Sequence, residues 1–117
     1  MAYVSGFVTP VPEENRDAYI QSAAEAWPLF REYGAVAHWE CWEDHVPDGE
    51  VTSFPMAVKR GEGEKVVLSW VVWRDKEAYE TCMATMDTDA RWQALAAPFD
   101  GKRMIWGSFD AVFVRNA

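Results

Sequence analysis

The segment Ala35–Val46, AVAHWECWEDHV, holds the residues of this chain best suited to chemistry. His38 and Glu40 lie two apart. On a strand, where side chains alternate between faces, they point the same way. An imidazole beside a carboxylate is a proton-transfer pair, or a pair that hydrogen-bonds a substrate. The plainer reading is an ion pair between strands or subunits. Trp42 and Asp44 share their face, while Ala37, Trp39 and Cys41 occupy the other. The odd face is small and apolar, which suits a position beneath helices. The even face is then expected opposite the helices, with His38 and Glu40 as the catalytic candidates. Trp42 and Trp70 either wall that cavity or fill a dimer core.

Three further groups of residues were weighed against plainer roles. Asp100-Gly101-Lys102-Arg103 places Arg103 either as an anion clamp at a pocket mouth or as the partner of a surface carboxylate. Glu43, Asp44, His45, Asp48 and Glu50 surround a turn, but they lack the alternation and glycine of a calcium-binding loop. A solvated acidic loop is expected there, and no metal site. Cys41 and Cys82 form no CxxC and no metal spacing, so both are expected as free, buried thiols. No cofactor is expected either. Gly61 and Gly63 do not complete a dinucleotide fingerprint, and neither GxxxxGK[ST] nor GxSxG occurs.

Composition narrows the class. The chain has 117 residues, one domain by size, spanning 1–117. Nineteen Asp and Glu against eleven Lys and Arg give a net charge of −8, which disfavours nucleic acid and anionic lipid surfaces as partners. The opening MAYVSGFV has no basic region and no adequate apolar run, and no stretch approaches the ~20 apolar residues that cross a bilayer. A cytoplasmic protein is the expectation. The seven Trp, burying on the order of 1,000–1,700 Å², overload so small a core. A pocket or a subunit interface would take the excess.

The elements that must position these residues can be read in order. Tyr3–Val11 is a strand, with Gly6 marking a bulge or a close approach. A helix starts near Glu13–Asn15, with Asn15 as its cap and a stripe of Tyr19, Ala23, Ala26, Trp27 and Phe30. Pro28 should kink it or break its last turn, and Gly34 suits its left-handed end. After Ala35–Val46 comes a turn at Pro47-Asp48-Gly49. Met56–Arg60 reads as a short strand, and Gly61–Glu64 as a hairpin tip. Lys65–Trp73 is apolar on both faces, hence a central strand. Asp75 caps a second helix that runs to about Met86. A short helix around Trp92 follows, and a last strand over about Arg103–Val114. This β-α-β-(β)-β-α-(α)-β order is that of a ferredoxin-like split βαβ fold of the α+β class with an antiparallel sheet. Its two helices cover one face only, so a second copy of the chain is expected on the other.

Several stretches carry a family resemblance. They are Gly6-Phe7-Val8, Glu40-Cys41-Trp42, Val46-Pro47-Asp48-Gly49, Phe54-Pro55, Ala57-Val58-Lys59, Ser69-Trp70 and Pro98 through Ile105. In this order along nearly the whole chain, they resemble the bacterial YbaA-like family, whose function is unknown. The resemblance implies a dimeric α+β barrel, two ferredoxin-like protomers packed sheet to sheet. The wider superfamily includes cofactor-independent monooxygenases, haem-degrading enzymes, isomerases and ligand-sensing domains. The haem branch fits poorly, because the second helix holds no His. The expectation is therefore a homodimer with a pocket for a small apolar or aromatic ligand, with oxygenase or isomerase chemistry. A non-enzymatic ligand-binding module or a purely structural dimer is the alternative.

Overall fold

Alternation along the two central strands decides which face of the sheet carries the helices. In the computed structural model, which describes residues 2–117, β1 (Tyr3–Pro12) leads through a 3₁₀ segment at Glu13–Asn15 into α1 (Arg16–Glu32). There follow β2 (Ala35–Trp42), the short α2 (Phe54–Ala57), β3 (Glu64–Trp73), α3 (Lys76–Thr85), the short α4 (Ala90–Gln93) and β4 (Ile105–Asp110). The four strands lie in the order β2-β3-β1-β4, with every bonded pair antiparallel. This is an α+β, ferredoxin-like fold.

Tyr3, Ser5, Thr9 and Val11 of β1 are buried, beside Trp73, Val71 and Val67 of β3. Phe30 of α1 and Tyr79 of α3 pack on Trp73 with ring centroids 5.9 Å away in each case, so both long helices lie on this face. The indole N–H of Trp73 donates to Ser5 Oγ at 3.0 Å, which satisfies two polar groups inside the core. Gly34 ends α1 at φ +107°, and a Cβ there would sit 2.7 Å from that of Ala78 on α3. The turn therefore needs glycine twice over, for its backbone angle and for the close approach. Asp75 caps α3 as expected, its carboxylate accepting from the Ala78 N–H at 2.8 Å.

Several expectations are corrected. Met56–Arg60 is no strand: Ser53 caps α2 by accepting from the Met56 N–H, and Pro55 occupies its first turn. Gly61–Glu64 is accordingly a turn leading into β3, not a hairpin tip. β2 ends at Trp42 and β4 is confined to Ile105–Asp110. α1 continues through Pro28 to Glu32, so the proline does not break its last turn. Asn15 stands at the cap position, but its side chain donates to the Pro98 carbonyl instead. β1 keeps an unbroken register past Gly6. The irregularity lies in β2: Ala35 pairs with Trp73 and Ala37 with Val72, so Val36 is an extra residue. A bulge of one residue reverses the facing of everything after it. Ala35 is buried under the helices, but beyond the bulge His38, Glu40 and Trp42 take the covered face, opposite Val71, Ser69 and Val67. Ala37, Trp39 and Cys41 take the open one. The expectation that His38 and Glu40 face away from the helices is overturned.

Candidate functional site

α1 brings Tyr19, Ser22, Ala23, Ala26 and Phe30 to the sheet at helical spacing. Its serine and alanines are too short to fill the space above the strands. A cavity of about 140 Å³ remains between helix and sheet. Phe7 and Thr9 of β1, Ser69 and Val71 of β3, and His38 and Glu40 of β2 line it from below. Phe99 and Met104 close it from the irregular strap 94–104. The strap is tied to α1 by the Ser22 hydroxyl, which donates to the Ala96 carbonyl at 2.5 Å, and by Asn15 on Pro98.

At the wall of this cavity three side chains are joined. The Tyr19 hydroxyl donates to Glu40 Oε1 at 2.5 Å, and His38 Nε2 lies 2.6 Å from Glu40 Oε2. Burial first, then the charge of Glu40 and its grip on the phenol proton, raise the Tyr19 pKa far above the ordinary tyrosine value. Tyr19 therefore remains a donor throughout the physiological range. With both oxygens of Glu40 acting as acceptors, a neutral imidazole carries its proton on Nε2 and its lone pair on Nδ1. The ring is held by Phe30, edge-on at 5.3 Å, and by Trp27 at 6.3 Å. Only 9% of the His38 side chain and 23% of the Glu40 side chain is exposed. The pair also borders an outer groove of about 500 Å³ formed by α1 with Val36, Ala37 and Trp39. It thus stands between a largely apolar space and the outer groove.

The other sequence candidates lie elsewhere. Trp42 shares the covered face but packs beside Val11, Tyr19 and Val67, with the Arg16 guanidinium 5.6 Å from its ring. Trp70 is on the open face, stacked on Trp39 at 5.5 Å. Neither lines the cavity. Arg103 holds both oxygens of Glu64 (2.8 and 2.6 Å), Asp100 Oδ2 (2.9 Å) and the Lys59 carbonyl (2.9 Å). Its guanidinium is spent on these groups and does not serve as an anion clamp at the cavity. Glu43 accepts from Arg60 and from the Val66 N–H, binding the loop to β3, while Asp44, His45, Asp48 and Glu50 are exposed. Among the described residues, no cluster of His, Cys, Asp and Glu is arranged to hold a metal. Cys82 is fully buried and its thiol is pushed up to about 12 by burial, which leaves it inert. Cys41 is half-buried on the open face, not beneath the helices.

Sequence reasoning placed Tyr19 in the buried stripe of α1 and missed its hydroxyl as part of the site. A signal was present: Tyr19 begins a stripe in which Ala23 and Ala26 are too small to cover the titratable residues of β2.

Comparison with known proteins agrees with this architecture. Residues 2–101 match the family model described as "Protein of unknown function (DUF1428)". The uncharacterized protein YbaA of Escherichia coli K12 is 48% identical over 114 residues, covering 96% of this chain and 97% of that protein. Among solved structures, a dimeric ferredoxin-like protein from an uncultured marine organism superposes with a TM-score of 0.59 at 14% identity, over 98% of this chain and 100% of that one. A variant of SnoaB, a cofactor-independent oxygenase from Streptomyces nogalater, gives 0.51 at 17% identity over 97% and 95%. At such identities these structures share the fold. The match over most of the length and the identity to YbaA show that the chain belongs to the DUF1428 family of proteins of unknown function.

Proposed function

We propose that this protein is a homodimeric enzyme that deprotonates a small, mainly apolar substrate as the first step of isomerase- or oxygenase-type chemistry. The observation that carries this reading is the Tyr19–Glu40–His38 chain on the wall of a largely apolar cavity. His38 is the base: Nδ1 takes a proton from an O–H or an acidic C–H of the substrate. Glu40 stabilises the imidazolium that forms, and Tyr19 fixes the carboxylate. In an isomerase the resulting anion rearranges and takes the proton back from the imidazolium at a different atom; in an oxygenase it adds dioxygen, a co-substrate, and the peroxide that forms takes up the proton. That a structural neighbour is an oxygenase of this fold supports the class of chemistry by analogy only.

The open face supports the dimer. Val4, Val8, Leu68, Trp70 and Val72 lie on it with Trp39, Ile105 and Phe109, and Trp39 and Phe109 are 57% and 61% exposed. A continuous apolar face of this kind is an interface, expected to bury about 2,000 Å² or more in total. Native mass spectrometry of freshly purified protein tests both parts, followed by assay of any retained small molecule. The expected result is a dimer whose ligand is converted, with turnover reduced about 10²–10⁴-fold in His38→Ala while the dimer persists. Undiminished turnover in that variant, or a ligand retained and never converted, would overturn the enzymatic reading.

A further inference from the structure

We infer that the cavity selects a neutral compound of single-ring size that presents a hydroxyl group as hydrogen-bond donor to Glu40 and His38, as a simple phenol does. This rests on the reading of the cavity as a ligand site and adds its size, charge and polarity.

Size comes from the volume. The space of about 140 Å³ is close to the roughly 150 Å³ of an engineered cavity that admits benzene. A fused bicyclic ring exceeds this volume and either projects from the cavity's open side or displaces the strap against its bonds to Asn15 and Ser22.

Charge comes from what lines the space. No Lys or Arg is among the lining residues, and the ionisable groups there are Tyr19, His38 and Glu40. A carboxylate or phosphate would be desolvated beside the Glu40 carboxylate with no Lys or Arg to meet it, which is unfavourable.

Polarity comes from counting donors and acceptors. The one donor of Tyr19 and the Nε2 proton of His38 are already given to Glu40. Glu40 retains acceptor capacity, and in the neutral ring His38 Nδ1 has a lone pair. The hydroxyls of Ser69 and Thr9 can act either way. The polar end of the cavity is therefore rich in acceptors and short of donors. A ligand that donates adds a bond at these acceptors, whereas one that only accepts finds few free protons there. Register fixes the arrangement: Glu40 is opposite Ser69 and His38 opposite Val71, while Phe7, Phe30 and Phe99 supply aromatic walls.

Titration calorimetry of the full-length protein with phenol, toluene, benzoate and 2-naphthol separates these claims. Phenol is expected to bind, toluene and 2-naphthol at least about tenfold more weakly, and benzoate not at all. Ala26→Leu fills the cavity and should abolish phenol binding; Ala23→Leu serves the same purpose if that variant does not fold. Glu40→Gln should weaken phenol at least about tenfold and leave toluene unchanged. Benzoate or 2-naphthol binding as tightly as phenol overturns the selectivity and leaves the cavity as a ligand site. Phenol binding that survives the filled cavity places it elsewhere and overturns the inference. If none of the four compounds binds, the inference falls, while conversion of a retained ligand remains an independent measure of the enzymatic reading.

Discussion

On the helix-covered face of the sheet, polar and apolar residues are mixed. Among the described residues, no buried side-chain nitrogen or oxygen there or elsewhere lacks a partner. On the open face the residues are almost all apolar, and several large ones stand in solvent. The first face is finished by its own chain. Ser5 meets Trp73, and Glu40 meets Tyr19 and His38, each through bonds that fix a geometry. The second face has area without specific bonds, and area is what association between like subunits requires. The two faces of one sheet thus differ in kind, with fixed polar bonds on one side and unpartnered apolar area on the other.

The sharpest way to break this division is to remove a large side chain from each face. Trp73 is 0% exposed and touches both long helices, so Trp73→Ala should destabilise the fold by about 3–5 kcal/mol in denaturant titrations. Truncation of Trp39, which is 57% exposed, should cost the chain's own fold far less. Equal losses in a monomeric background would show that the two faces do not differ.

Leu68→Asp addresses the open face directly. Leu68 is 39% exposed in the single chain, so the charge is tolerable there. Buried against a second copy it has no partner. The dissociation constant of the dimer should rise about a hundredfold or more, near 3 kcal/mol, in sedimentation equilibrium. A dimer of unchanged affinity would remove this face from the interface.

Tyr19→Phe sharpens the account of the covered face. The ring and its edge contact with Phe99 at 5.7 Å remain, but Glu40 Oε1 loses its donor. A cost of about 1–3 kcal/mol is expected, because a half-buried acceptor is left unmet. A variant as stable as the parent chain would mean that water replaces the hydroxyl without loss.

Much of this architecture was legible in the residues. The apolar character of Lys65–Trp73 on both faces marked a central strand, and Asp75 and Gly34 marked helix ends, because each is fixed by local chemistry. His38 and Glu40 were rightly placed on one face. Which face that was could not be read, since it depends on the extra residue at Val36, and a bulge in an otherwise regular apolar strand leaves no pattern of its own. The volumes of Ala37, Trp39 and Cys41 misled for the same reason: apolar side chains suit an intersubunit face as well as an intramolecular one. Met56–Arg60 failed differently. Its strand-like residues were outweighed by Ser53 and Pro55, a cap followed by a proline, which start a helix. Tyr19 became part of the site only once α1 was docked across β2.

The smallest expected effect concerns the strap that closes the covered face. Its end is anchored by Arg103 on Glu64 and Asp100. The Arg103 hydrogen bonds hold the Glu64 carboxyl below the usual range, with the Gly61 N–H adding to this, and Asp100 is lowered by Arg103 and the Lys102 N–H. A carboxylate whose pKa is lower folded than unfolded contributes stability that is present above its unfolded value. That contribution is lost as pH falls through the folded one. The anchor should therefore be intact from neutrality down to about pH 5 and weaken below about pH 4. Amide exchange across 94–104, corrected for its intrinsic pH dependence, should rise by less than about fivefold, as befits ion pairs that keep some contact with solvent. Exchange in the buried strand β3 should stay unchanged over the same range. Glu64→Gln should bring the faster exchange to neutral pH and flatten most of its pH dependence. A strap equally protected at both pH values would assign its closure to the Asn15 and Ser22 bonds and the packing of Phe99, with no part for the Arg103 anchor.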